Sequence, residues 1–139
     1  RRQRQMCIRD SEETLRYASP VYSTDRMYVT EALELRGVPL SEGDMVLACV
    51  GAANRDPAAF DRPDVFDIHR SPNRHLGFGK GAHYCVGAAL ARLEGRLALE
   101  GLLGRFDRME LAVPVEALAF TGVVSIHAYK AVPLRLASG

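Results

Sequence analysis

The run Leu76-Gly77-Phe78-Gly79-Lys80-Gly81-Ala82-His83-Tyr84-Cys85 constrains this chain more than any other feature. Three glycines in five residues let the backbone bend sharply or lie close to something flat. A helix follows at once. Apolar residues recur at Val86, Leu90, Leu93 and Leu97, and again at Leu99, Leu102, Leu103 and Phe106, which predicts a helix over residues 86–106. Arg92, Arg96 and Glu100 lie on another face, and Arg105 suits the helix's negative end. Cys85 therefore stands at the positive end of a helix dipole, where the thiolate is favoured. Gly87, in the first turn, weakens the helix, a loss that makes sense where a side chain would strike a ligand.

Four readings fit such a thiolate. It can be a nucleophile with His83 as its base. It can bind zinc, although one Cys and one His two apart are too few for a tetrahedral site. It can be the single axial ligand of a haem iron, whose porphyrin supplies the other four donors. It can also be a buried structural cysteine. Spacing alone leaves the structural and the functional readings level.

The rest of the composition narrows the class. A length of 139 residues fits one domain, and 47% hydrophobic with 25% charged residues is an ordinary globular balance. A net charge of +1 excludes a strongly basic nucleic-acid binder and a charge-driven disordered chain. No apolar run is long enough to cross a bilayer, and no apolar N-terminal segment reads as a secretory signal. Three cysteines, an odd number, point to a reducing compartment and hence to the cytoplasm. Sixteen of the 18 basic residues are Arg, and four of them fall in the first nine positions. Residues 1–11 have no clear apolar period. The stretch MCIRDS looks like translated sequencing-adapter sequence, so residues 1–11 read as an unmatched tail or artefact. That tail holds four Arg and one Asp, which leaves the remainder at −2.

Order is expected from Glu12. Residues 12–18 read as the end of a helix, stopped by Ser19-Pro20. Short strands are expected at Met27–Thr30, Ala32–Arg36 and Val38–Leu40, with turns at Gly37 and at Ser41-Glu42-Gly43-Asp44. The apolar run Met45–Val50 reads as a buried strand, with Cys49 a small core residue. Residues 52–81 are turn-rich and irregular, which inside a compact domain marks function or disorder. Further strands are expected at Met109–Val113, Val123–Ala128 and Val132–Leu136.

Phe78-Gly79-x-Gly81-x-His83-x-Cys85-x-Gly87 resembles the haem-binding signature of the cytochrome P450 family. Glu13-x-x-Arg16 is similar to the family's ExxR motif, and Tyr17-Ala18-Ser19-Pro20-Val21 follows it as in bacterial members. Arg26, Gly37-Val38-Pro39-Leu40, Gly43-Asp44, Asn54-Arg55-Asp56-Pro57, Phe66-Asp67 and Leu90-Ala91-Arg92-Leu93-Glu94 continue in family order. The resemblance covers residues 12–139. It implies a mainly α fold with small β-sheets (α+β), here the incomplete C-terminal part of a single P450 domain.

The resemblance implies that Cys85 is the proximal thiolate of haem b, iron protoporphyrin IX. Such a ligand pushes electron density onto iron and favours O–O cleavage. Phe78 would pack near the sulfur, Gly79 and Gly81 would let the loop lie on the porphyrin, and backbone N–H groups around Gly87 would temper the thiolate. His83 and Arg26 match positions that pair with the haem propionates. Val21, Tyr22 and Ser23 match a turn facing substrate, and Val123 and Val124 lie near a second such turn. Glu13 and Arg16 match a buried pair whose third, basic member is replaced here by Val65, so Arg62 or Arg70 stands in, or the clamp is incomplete.

The implied activity is a haem-thiolate monooxygenase. It would insert one oxygen atom from O2 into a small organic substrate, with NAD(P)H electrons delivered by a ferredoxin- or flavodoxin-type partner. Arg92 and Arg96 face either that partner or plain solvent. Neither a nucleic acid nor a membrane is an expected partner. The family's acid–alcohol proton-delivery pair and the distal haem wall are missing from these residues. The isolated chain is therefore expected to be inactive, marginally stable and prone to aggregate. A non-catalytic haem-binding remnant shares every motif. A cysteine-nucleophile enzyme needs a third orienting group, and none is evident.

Overall fold

A computed structural model describes residues 2–123 and 125–138, with side chains from Arg9 onward. Helix α1 runs Arg2–Tyr17. It begins ten residues before the expected onset at Glu12. The Arg, Gln and Met of its first turns are good helix formers even without an apolar stripe. Ser19 ends it as expected, its hydroxyl donating to the Leu15 and Arg16 carbonyls.

A nested hairpin follows. Strand β1 (Met27–Tyr28) pairs antiparallel with β4 (Met45–Val46), and between them β2 (Leu33–Leu35) pairs with β3 (Val38–Leu40). The tip is Arg36-Gly37, both at positive φ (50° and 83°), the signature of a tight two-residue turn. The expected strand over Met45–Val50 stops at Val46. The Ala48 N–H turns instead to the Thr24 hydroxyl, and helix α2 (Val50–Ala53) starts with Cys49 as its cap residue. Cys49 is exposed rather than a core residue.

Residues 54–80 lack regular structure, as expected, yet they are tied down. The Arg16 guanidinium donates to the carbonyls of Asn54 (2.9 Å), Pro63 (2.7 Å) and Val65 (3.0 Å). Asn54 accepts the Leu76 N–H (2.7 Å) and donates to Ser19 Oγ (2.7 Å). Arg55 stacks on Tyr17, 3.7 Å from the ring centroid, and Tyr17 meets Phe66 edge-on. Side chains thus do for this segment what a ladder does for a sheet: they satisfy its buried carbonyls.

Helix α3 spans Ala88–Arg105, with Gly87 as its cap residue rather than in its first turn. Strands β5 (Arg108–Leu111) and β6 (Leu134–Ala137) pair antiparallel and close the chain. The strand expected over Val123–Ala128 reduces, among the described residues, to one bridge between Ile126 and Val21.

Packing departs from the apolar pattern in one respect. Helix α1 lies against α3 through the small-residue side of α3, where Ala88 is buried and Arg92 reaches back to Glu12. The leucine stripe faces outward, with Leu90 58%, Leu97 54% and Leu103 50% exposed. The largest fully buried side chains are Arg16, Glu13 and Asn54. The interior of this chain is therefore an ion-paired knot, while much of its apolar surface lies open.

Candidate functional site

The buried knot anchors the irregular segment that leads into the Cys85 loop. Arg16 and Glu13 form a two-pronged pair, Nε to Oε2 at 2.8 Å and Nη2 to Oε1 at 2.7 Å, with both side chains essentially inaccessible. Glu13 also accepts from the Asp67 N–H (2.8 Å), Asn73 Nδ2 (3.2 Å) and Arg70 Nε (3.3 Å). The third basic member is thus Arg70, whose side chain is 8% exposed. Arg62 points away, pairing with Asp61 and Asp67 with its side chain 65% exposed. Burial pushes the Glu13 carboxyl up, but the donors from Arg16, Asp67 and Arg70 together hold it below its ordinary value.

The Cys85 loop is built from short backbone bonds. The Gly79 N–H donates to Leu76, Tyr84 to Gly81, and Cys85 to Phe78 (2.9 Å). Gly79 and Gly81 take φ of 72° and 78°, a conformation that side-chain-bearing residues rarely adopt, so these two glycines let the loop curl under the helix. The Ala88 N–H then bonds the Cys85 carbonyl as α3 begins. Cys85 sits just ahead of that N-terminus, on its electropositive side.

Beside the loop lies an apolar cavity of about 550 Å³, within the range of small-molecule sites. Cys85, His83, Phe78 and Gly79 form its lower wall. Leu15, Pro20, Val21 and Val50 face them from α1, the turn after it and the start of α2. Ala91 and Gly95 leave room along α3. Among the described residues neither the Cys85 sulfur nor the His83 ring has a hydrogen-bond partner, so no base is poised on the thiol. No cluster of three or more His, Cys, Asp or Glu able to hold a metal ion lies among them either. A free sulfur, glycine backbone and an apolar wall fit a large flat ligand whose metal needs one soft axial donor.

The other expected site residues scatter. Gly87 neighbours the thiol: among the described residues beyond its chain neighbours, a Cβ there would meet only Cys85 Sγ, at 3.8 Å. Arg26 is exposed and lies outside the cavity wall. Tyr22 turns away from the cavity onto Gly51 and His127, and Ser23 is buried. Val123 is half exposed, and Val124 lies outside the described residues. The two turns assigned to substrate do meet, through residues slightly later than expected. The Tyr22 N–H donates to the Ser125 carbonyl (2.8 Å), and the His127 N–H to Pro20 (2.7 Å).

One cluster escapes the sequence reading. Glu12 accepts two bonds from Arg92, Nε at 2.6 Å and Nη2 at 3.1 Å, and meets His75 Nε2 at 2.9 Å. His75 Nδ1 accepts the Gly77 N–H (3.1 Å), which assigns the ring proton to Nε2 and makes it the donor to Glu12. Arg92 Nη1 donates to Tyr84 Oη (2.8 Å), and the guanidinium lies 4.5 Å from the Phe78 ring centroid. The bond from His75, helped by Arg92 and opposed by burial, lowers the Glu12 carboxyl to about 2. The Glu12 carboxylate in turn raises Arg92. Arg92 is therefore neither a solvated cation nor a free docking charge. The only signal in the sequence is that Glu12 directly precedes Glu13.

The comparisons agree with this geometry. The polyketide biosynthesis cytochrome P450 PksS of Bacillus subtilis is 40% identical over 136 residues, 98% of this chain and 34% of its own length. The solved structure of PksS superposes with a TM-score of 0.91, covering 99% of this chain and 35% of that one. P450BioI, in complex with an acyl carrier protein ligated to hexadec-9Z-enoic acid, gives 0.86 at 39% identity over 96% of this chain and 33% of its own. TamI, a P450 monooxygenase bound to tirandamycin C, gives 0.91 at 37% identity, covering 96% and 33%. The chain spans about a third of the length of the relatives it matches. It carries part of the P450 fold, mainly helical with small antiparallel sheets. A model of the family described as Cytochrome P450 matches residues 5–123, and the chain belongs to that family.

Proposed function

We propose that this chain supplies the haem-thiolate site of a bacterial-type monooxygenase, as the C-terminal part of a longer single domain. The observation that carries the reading is Cys85: its thiol opens on the apolar cavity directly ahead of α3. Haem b bound there would supply dioxygen activation. The chain's own residues do the rest. Cys85 stands at the positive end of the α3 dipole. Leu76 and Phe78 line the same cavity as the exposed Cys85 and would shield its sulfur from water once the cofactor is seated, and Gly79 would let the backbone approach the macrocycle. His83, in the cavity wall, and Arg26, exposed outside it, would donate to its propionates. Val21 lines the cavity from the turn assigned to substrate.

The whole protein would insert one oxygen atom from O2 into an organic substrate, in the cytoplasm. Electrons would come from NAD(P)H through a ferredoxin- or flavodoxin-type partner. Relatives named for polyketide biosynthesis, tirandamycin C and a carrier-bound fatty acyl chain support a lipophilic substrate. The test is product labelling: the haem-loaded full-length protein is given ¹⁸O-labelled O2, a panel of lipophilic acids and macrolactones, and NAD(P)H with surrogate partners of both types to deliver the two electrons each turnover needs. One labelled oxygen in a product supports the reading. A haem-loaded protein that labels none, and that consumes no O2 with NAD(P)H and surrogate partners of both types, is a non-catalytic haem binder.

A further inference from the structure

Two residues tied directly to Cys85, one by the peptide bond and one by a backbone hydrogen bond, both rest on one guanidinium. Tyr84, the residue before it, is held through Oη by Arg92 (2.8 Å). Phe78, whose carbonyl accepts the Cys85 N–H (2.9 Å), lies with its ring against the same guanidinium (4.5 Å). Arg92 could swing freely on α3 were it not gripped by both oxygens of Glu12. Glu12 is steadied in turn by His75, and His75 receives the N–H of Gly77, inside the glycine run.

The carboxylate thus ties α1, α3 and the near end of the loop to one point, across 80 residues of chain from Arg92 and 63 from His75. A two-pronged carboxylate–guanidinium pair fixes orientation as well as distance, which a lone ammonium would not. Contrast Arg96 and Glu100 on the same helix, a loose pair at 3.9 Å with no hydrogen bond to the loop among the described residues.

We propose that Glu12 is a positioning residue for the Cys85 thiolate, acting through Arg92 on Tyr84 and Phe78 and through His75 on Gly77. The proposal rests on Cys85 being the haem ligand. Glu12 touches no reacting atom. Through those contacts it would hold the Cys85 sulfur in place against the cofactor.

The experiment uses the haem-loaded full-length protein containing this chain, reduced and bound to CO. The lifetime of the thiolate band is followed at fixed temperature, and the urea unfolding midpoint is measured in parallel. Glu12→Gln, Arg92→Lys and Tyr84→Phe are compared with Glu100→Gln. Glu12→Gln and Arg92→Lys are expected to shorten the lifetime at least roughly fivefold, the factor carried by one ordinary hydrogen bond. Tyr84→Phe leaves the Glu12–Arg92 pair intact, so it should shorten the lifetime with no shift in midpoint. Glu100→Gln should change neither. If Glu12→Gln lowers the midpoint while its band lifetime and that of Tyr84→Phe match the wild type, the cluster only joins helices and the proposal falls. If the wild-type holoprotein shows no thiolate band, the ligand assignment itself falls, an outcome read before any variant is made.

Discussion

Replacing Arg70 tests the reading of the buried knot, because two arginines were available to fill the place that Val65 leaves empty. Arg70 donates to Glu13 (3.3 Å) and to the carbonyls of Asp61, Arg62 (3.1 Å) and Val65 (3.0 Å). After Arg70→Gln, Asp61 and Arg62 can turn to water and Val65 keeps Arg16. Glu13 keeps Arg16, Asp67 and Asn73. No charge is orphaned, so the loss is that of a hydrogen bond to a charged group, about 1.5–3 kcal/mol. Arg16→Met removes the main counter-ion of a fully buried carboxylate and three carbonyl contacts, a loss of about 3–5 kcal/mol. Arg62→Gln touches only the pairs with Asp61 and Asp67, at a side chain 65% exposed, and costs about 0–1 kcal/mol. Urea unfolding of the full-length holoprotein, at unchanged denaturant slope, should rank the midpoints wild type, Arg62→Gln, Arg70→Gln, Arg16→Met. A midpoint for Arg62→Gln as low as that for Arg70→Gln would refute the assignment.

Three other outcomes follow from the geometry. The Glu12 carboxyl, held at about 2 against an ordinary 4.5, stabilises the fold fully above pH 4.5 and progressively less as pH falls towards 2. The urea-unfolding gap between wild type and Glu12→Gln should therefore close across that window by about 2–3 kcal/mol, and a gap that stays constant with pH would contradict the ion pair. In Gly51→Ala the new Cβ would lie 2.4 Å from the Tyr22 ring, so the ring must move. The expected loss is about 1–3 kcal/mol, smaller when Tyr22→Ala accompanies it, and strictly additive losses would sink the close-contact account. Gly79→Ala forces a side chain into φ 72° and should cost about 1–2 kcal/mol, read from the same unfolding midpoint.

What the residues revealed on their own follows the range of the interactions. Glu13 and Arg16 are three apart on one helix, so their pairing is legible from spacing. The hairpin tip is legible because Gly37 and the strand Val38–Leu40 are local. Arg70 could be named only as one of two options. It reaches Glu13 from an irregular segment 57 residues away, along a side chain whose direction no periodicity sets. Glu12, His75 and Arg92 were missed for the same reason.

The apolar runs misled in a different way. MVLACV read as buried because apolar residues usually are. Here many of them are exposed, in a chain that spans about a third of its relatives' length. The strand expected at Met45–Val50 was cut short by a side-chain bond from Thr24, 24 residues away from Ala48, which pattern alone does not foresee.

The central claim is that Cys85, not Cys49, holds haem iron. The reduced, CO-bound absorption spectrum of the full-length protein tests it most directly. Wild type and Cys49→Ala should both show the long-wavelength thiolate band after which the family is named, and Cys85→Ala should bind CO without it. A band that survives Cys85→Ala and vanishes in Cys49→Ala would contradict the account.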